Sequence, residues 1–203
     1  MSGRTMTAAG SAAGAGERRS VTDPARLHEA ALRLFAQHGT SGTSLQMIAD
    51  ELGVTKAALY YRYKTKDELV LGVVRPFLEE LLRVLEAAAV RRGRRAQVEA
   101  VLTGLVDVVV RGRGLYVVLV SDPTVAHLLG EHPLLRRVGD ELVALLAGPD
   151  PGAAERVTVS LFLTGLVGPL HDPACADVDD EELRRTLLAL GHRLLLPRRA
   201  PRC

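Results

Sequence analysis

With 203 residues, 47% of them apolar and only 3% aromatic, the chain can bury an aliphatic core without disulfide or metal staples, and its composition disfavours a strand-rich fold. Its two cysteines, Cys175 and Cys203, exclude a secreted disulfide scaffold, and no uninterrupted apolar run reaches the roughly 18 residues that would suggest a membrane span. The net charge of +2 decides little, but residues 17–66 hold eight Arg or Lys against five Asp or Glu, while residues 67–203 hold seventeen against nineteen. A short nucleic-acid-binding head on a non-binding body would give this split.

Residues 1–20 are rich in Gly, Ala and Ser and lack apolar periodicity. They read as a disordered arm. They also lack the apolar core of a signal peptide, so the expected location is the cytoplasm. Order begins at Asp23, a good N-cap, followed by Pro24 at the first helical position. Leu27, Ala30, Ala31, Leu34 and Phe35 repeat at helical spacing and predict one buried stripe. Gly39 tolerates the left-handed conformation and ends this helix, predicted over 24–38. Ser44 caps a helix from Leu45 to Leu52, and Gly53 stops it. Thr55 caps a third helix from Lys56 to about Tyr63. Thr65 caps a fourth, with Glu68 three residues on as a capping box. Two helices joined at a glycine by so short a link cannot lie antiparallel; they cross steeply, as in a helix-turn-helix.

Beyond Leu69 the pattern is helical and leucine-rich, with helices predicted over 66–91, 96–111, 114–121, 123–129, 133–147, 152–170 and 179–195. Pro76 is expected to kink or split the first of these. No repeat and no alternation of strands with helices is visible. The expected fold is all-α: an N-terminal three-helix helix-turn-helix unit over 21–66, a helical body over 67–197 and a flexible tail over 198–203.

Residues 57–69, ALYYRYKTKDELV, concentrate unusual chemistry. Three of the four tyrosines, Tyr60, Tyr61 and Tyr63, lie here, and all three lysines, Lys56, Lys64 and Lys66, lie in or beside it. Ile48, Ala49, Leu52, Val54 and Leu59 occupy the inward positions, and Tyr63 can close the small core. Adjacent residues on a helix point about 100° apart, so Tyr60 and Tyr61 cannot both face that core. At least one phenol is exposed. A phenol tip and a compact ammonium both suit a polyanion backbone.

The stretch TSLQMIADELGVTKAALYYRYKTKDELV, with LFAQHG ending the helix before it, resembles the DNA-binding segment of the TetR family of bacterial transcriptional regulators. The match covers about 24–70. The resemblance implies a homodimer that sets the third helix of each subunit in a major groove of palindromic, double-stranded operator DNA. Carried over by position, Ser44, Tyr60 and Lys66 would bond phosphates, with the free N–H groups beside Ser44 forming an anion site. Gln46, Lys56, Ala57 and Tyr61 would face base edges. Thr55 would reach a phosphate or a base. The sequence departs from the family's common pattern at Arg62, Tyr63 and Pro76. Arg62 could add a phosphate contact, and the Tyr63 hydroxyl needs water or a partner.

The resemblance further implies a small-molecule effector in the body. Phe77, Thr103, Asp107, Tyr116, Ser121 and His127 are the polar or aromatic handles of a pocket otherwise aliphatic, which suggests an apolar or amphipathic effector. The last two helices are apolar on more than one face. Leu161, Phe162, Gly165, Gly168, Leu187, Leu190 and Leu194 are the candidate dimer surface. No cofactor, metal site or catalytic group is expected. His127 and His132 are spaced to different faces, His171, Asp172 and Cys175 form only a weak cluster, and the glycines at 112 and 114 lack a dinucleotide-binding context. The competing readings are a DNA-binding protein without an effector, or an activator, and a helical enzyme or carrier whose front helices only pack.

Overall fold

The computed structural model describes residues 23–116 and 123–196. The predicted arm over 1–20, the tail over 198–203 and the second half of the helix predicted over 114–121 lie outside the described residues. Among the described residues every regular element is helical. They are α1 (Pro24–Gly42), α2 (Leu45–Leu52), α3 (Lys56–Arg62), α4 (Lys66–Ala89), α5 (Arg94–Arg111), α6 (Pro123–Gly130), α7 (Pro133–Ala147), α8 (Ala153–His171) and α9 (Asp180–Leu195), with a 3-10 turn at Pro173–Cys175 between the last two.

The local signals act as the sequence predicts at most helix starts. The side chains of Asp23, Ser44, Thr55 and Thr65 accept hydrogen bonds from the backbone N–H groups of Ala25, Met47, Ala58 and Glu68. Each satisfies a donor that the first helical turn leaves unpaired. The capping box at α4 takes a different form. The Glu68 carboxylate accepts from the N–H of Lys64 at 2.8 Å, one residue before the cap, and so ties down the loop entering the helix. In α1, Gly39 leaves helical geometry with φ 72° and ψ 163°, and the last turn, 40–42, is offset from the rest. The Thr43 hydroxyl lies 2.8 Å from the Gly39 carbonyl oxygen and 3.1 Å from that of Leu34, closing this break.

Pro76 does not split α4, which runs as one element through it. Proline forfeits one backbone hydrogen bond and strains the preceding turn, a cost of about 3 kcal/mol in an isolated helix. Here Val70, Val73 and Val74 before it and Leu78, Leu82 and Leu85 after it are all buried. Both halves are held on one core, and packing outweighs the lost bond.

One continuous set of buried residues extends from Leu27 in α1 to Leu187 in α9. α5 is its axis, packed against α4, α7, α8 and α9. Its Val98, Val101, Leu102, Leu105, Val106, Val108, Val109 and Val110 are buried around most of the helix, which is why this segment shows little amphipathic contrast. Two arginines close loose ends: Arg94 donates to the carbonyls of Leu145 and Leu146 at the end of α7, and Arg113 donates to the carbonyls of Leu170, Cys175 and Val178. Guanidinium groups near helix C-termini supply donors to carbonyls there. α8 is long and apolar enough to cross a bilayer by length and composition alone. In this structure its Val159, Phe162, Leu166 and Leu170 are buried against the other helices.

α9 approaches α5 closely at Gly191, where an added Cβ would lie 2.3 Å from Leu102 Cδ1 and 3.0 Å from Phe162 Cε2. Gly191→Ala is expected to destabilise the protein by about 1–3 kcal/mol through overpacking, read as a lowered denaturant midpoint. An unchanged midpoint would contradict this contact.

Candidate functional site

The geometry of the front three helices follows from Gly53. It ends α2 in the left-handed region at φ 66° and ψ 31°, and its N–H bonds to Asp50 O. A residue with a Cβ pays roughly 1–2 kcal/mol there. Ala49 and Ile48 are fully buried and Leu59 is nearly so, whereas Leu52 and Val54 are half-buried. The inward set is therefore as predicted, with its rim partly wetted. Held this way, α3 turns its other face to solvent. Tyr60 is 41% exposed and Tyr61 92%, so neither phenol serves the core. Lys56 and Ala57 are exposed beside them. The Lys56 ammonium lies 5.4 Å from the centre of the Tyr60 ring, a cation–π contact that positions both groups.

The remaining predicted contacts are not equally free. Ser44 and Thr55 are exposed caps whose oxygens already accept a backbone hydrogen bond; each hydroxyl proton is left to donate. Gln46 is exposed, with its amide donating to Asp50 at 2.7 Å. It must exchange this bond to read a base. Lys66 is half-buried. Its ammonium donates to Thr40 O at 2.9 Å and reaches Ser41 O at 3.4 Å, and an ammonium has three protons. Lys66 is thus first a strut between α4 and the α1–α2 turn.

Tyr63, expected to close the small core, is half-buried between the first helices and α4. Its hydroxyl lies 2.8 Å from His28 Nε2, which answers the need for a partner. Its ring rests on bare backbone at Gly72, where a Cβ would sit 2.7 Å from Tyr63 Cε1. The Arg62 guanidinium lies 5.9 Å from the same ring. Burial, and then the charge of Arg62, lower the His28 pKa below its ordinary 6.5. A neutral ring can accept from the Tyr63 hydroxyl. Nothing in the sequence pairs His28 with Tyr63, since 35 residues separate them.

In the rear helices, α4, α5, α6, α7 and α8 surround a cavity of about 360 Å³. Of the predicted pocket residues, Phe77 and Tyr116 line it. Asp107 instead faces α9 and accepts from Arg184 at 2.6 Å. Thr103 is half-buried away from the lining, His127 is exposed on α6, and Ser121 lies outside the described residues. These polar side chains stand apart because the lining is aliphatic: Val74, Leu78, Leu81, Val138, Leu142 and Leu166 are typical of it. Sequence reasoning missed them because a leucine facing a cavity and one facing a neighbour are the same letter at the same period. Burial raises the Tyr116 pKa above its usual value of 10, so the phenol is a neutral hydroxyl.

The candidate dimer residues divide between two faces. Leu161 is 65% exposed, Leu190 and Leu194 are each 46% exposed, and Gly165 is exposed with open space before it. Gly168 is half-buried. Phe162 and Leu187 are buried in their own subunit: Phe162 lies about 100° around α8 from Leu161, whereas Leu187 shares a face with Leu190 and Leu194 but is covered where they are not. Among the described residues, no group of three His, Cys, Asp or Glu is placed to hold a metal. His171 bonds to Val167 O, and Asp172 caps the 3-10 turn.

Gly53→Val is expected to abolish binding of duplex DNA while the helical circular-dichroism signal survives, because the change strains the turn rather than the helices. Retained binding would refute the turn geometry. The depressed His28 pKa carries a second expectation. Above about pH 6.5 both folded and unfolded chains hold the ring neutral. Below it the unfolded chain takes up the proton more readily, so stability falls with pH. The thermal midpoint should drop between about pH 7 and about pH 5, and His28→Gln should flatten part of that drop. An identical pH profile in the variant would remove His28 from the account.

Residues 27–73 match the model of the bacterial regulatory proteins of the tetR family. The transcriptional repressor KstR2 of Rhodococcus jostii is 33% identical over 78 residues, 38% of this chain and 38% of its own length. The probable acrEF/envCD operon repressor of Escherichia coli is 41% identical over 59 residues, 28% of this chain and 27% of its own. The matched segments thus span only about a third of these curated relatives. In fold the likeness runs further. The TetR-family regulator PfmR of Thermus thermophilus superposes with a TM-score of 0.67 at 18% identity, over 88% of this chain and 98% of that one. FadR of Bacillus subtilis, solved with stearoyl-CoA, gives 0.65 at 14% identity, over 87% and 100%. Residues 27–73 thus carry the tetR-family sequence pattern, and the fold as a whole is that of TetR-family regulators.

Proposed function

We propose that the protein is a homodimeric transcriptional repressor that leaves a palindromic operator when an apolar or amphipathic small molecule occupies its body. The DNA-binding unit is residues 21–66, and the effector-binding and dimerising body is residues 67–197. The observation that carries this reading is the solvent-facing row of Lys56, Ala57, Tyr60 and Tyr61 on a short helix clamped at a fixed angle to α2. A helix presenting such a row fits a major groove. Lys56 suits guanine, Ala57 a thymine methyl and Gln46 adenine, while Ser44, Thr55, Tyr60 and Lys66 hold the backbone.

Pairing of subunits is supported by the exposed apolar strip of Val157 and Leu161 on α8 with Leu190 and Leu194 on α9. A strip of this kind on adjacent helices calls for a cover, and two copies can supply it to each other about a twofold axis. The repressor sense follows the names of the Rhodococcus and Escherichia relatives. The effector reading rests on the cavity and on α4, which carries Lys66 at the front and Val74, Phe77, Leu78 and Leu81 on the cavity wall. A ligand shifts the operator equilibrium only if it binds one setting of this helix better than the other. A DNA-facing regulator of this kind works in the cytoplasm.

Sequencing of genomic fragments protected by the protein is expected to yield a palindrome whose half-sites match the dimer spacing. Affinity should fall steeply with salt, with a slope of about 0.9 per phosphate contact. Lys66→Ala should reduce that slope by about one, and Tyr60→Phe should weaken binding roughly tenfold or less without changing it. Leu161→Glu combined with Leu190→Glu should give monomers on sedimentation and lose operator binding. A flat salt response, or full binding by a monomer, would overturn the reading.

A further inference from the structure

The cavity constrains its occupant more tightly than the word amphipathic does. Among the described residues that line it, Tyr116 contributes the only polar side chain; all the others are Val, Leu, Phe, Ala or Gly. The Tyr116 hydroxyl makes no hydrogen bond to a described residue. Among the described residues, no arginine, lysine or histidine lines the wall. Arg184 and Arg113 are spent elsewhere, on Asp107 and on three backbone carbonyls. A carboxylate or phosphate drawn into this space would lose its water and meet no cation, so it would stay outside or neutralise. A hydroxyl set in an apolar wall, in contrast, favours one acceptor or hydroxyl on the occupant. Size follows from volume. A methylene takes up about the space of a water molecule, roughly 30 Å³, so 360 Å³ holds on the order of a dozen non-hydrogen atoms.

We infer that the cavity takes an uncharged, mainly aliphatic molecule of about a dozen non-hydrogen atoms, carrying one hydrogen-bonding group that meets the Tyr116 hydroxyl. This rests on the effector reading for its biological meaning, but not for its chemistry. Gly139 adds an independent handle. It lies on the wall, and a Cβ built there meets nothing within 4 Å. A larger side chain at this point extends into open space and shortens the cavity without displacing a neighbour.

The test is calorimetric titration of the full-length protein with 1-decanol and with decanoate at about pH 8, where the acid is fully ionised. Decanol is expected to bind at least a hundredfold more tightly than decanoate. Tyr116→Phe should weaken decanol about fivefold, and Gly139→Leu should weaken it tenfold or more while shorter alcohols such as 1-hexanol bind as before. Gly139→Leu guards against a folding defect in the tyrosine variant, and the thermal midpoints of both should match that of the unaltered protein. Decanoate binding as tightly as decanol, no binding of either, or decanol affinity indifferent to both substitutions would each overturn the inference. Release of operator DNA is scored separately. Decanol binding without release removes the effector reading and leaves the chemistry of the cavity standing.

Discussion

The structure depends on how α4 is seated under the front helices. Three contacts fix it there. The Lys66 ammonium grips the carbonyls of the α1–α2 turn. The Tyr63 ring lies on the bare backbone of Gly72. The Tyr63 hydroxyl meets His28 of α1. All three fall within the first two turns of α4 or just before it. Four residues after Gly72 comes Pro76, whose missing N–H leaves the Gly72 carbonyl without its usual helical donor. The helix is therefore clamped and locally weakened at the same level. Past that level its inward residues form the cavity wall. Any displacement of Phe77 or Leu78 must pass through this junction to reach α3.

The body is built from aliphatic residues with few polar interruptions, and this has two consequences. Its interior can hold a cavity without stranding polar groups, since its wall has almost none to strand. An apolar void costs contacts but no hydrogen bonds. Its last helices, moreover, are apolar on a second face. α8 buries Val159, Phe162 and Leu166 inward and leaves Val157 and Leu161 outward. The same abundance of leucine that makes α8 long and apolar enough for a bilayer is thus divided between one subunit's core and an exposed strip.

Much of this was legible in the sequence wherever a local rule has a single physical cause. Asp23, Ser44, Thr55 and Thr65 mark helix starts because a short side-chain oxygen satisfies a free N–H. Gly53 marks the turn because only glycine enters the left-handed region cheaply. Tyr60 and Tyr61 face out because two adjacent residues cannot share one small core. Legibility failed where the deciding fact was tertiary. Pro76 predicts a kink or a split in α4, but the helix runs through it as one element, held by a common core on both sides. Thr103, Asp107 and His127 stood out as polar handles, yet Asp107 belongs to an ion pair with α9 and His127 to solvent. Phe162 and Leu187 share their helices with exposed leucines, and hydrophobicity alone does not say which face meets which neighbour. The partnership of His28 with Tyr63 has no local signature.

An apolar cavity also limits how a switch could operate. To move a two-state equilibrium from 1:99 to 99:1, a ligand must favour one state by about 5.5 kcal/mol. With no charged group among the described residues of the wall, that difference has to come from buried apolar area. At about 25 cal/mol per Å², it corresponds to on the order of 200 Å², a large share of the surface of a dozen-atom molecule. The DNA-competent setting of α4 would then have to leave the cavity too small or too misshapen for the ligand, rather than merely lacking one good contact. Phe77 is placed to make that difference. It is the bulkiest purely apolar group on the wall, it follows Pro76 directly, and its ring packs within 3.1 Å of where a Cβ on Gly112 would stand. A modest rotation of α4 beyond the proline would carry this ring into or out of the cavity. Volume, rather than charge, would be what connects the two ends of the helix.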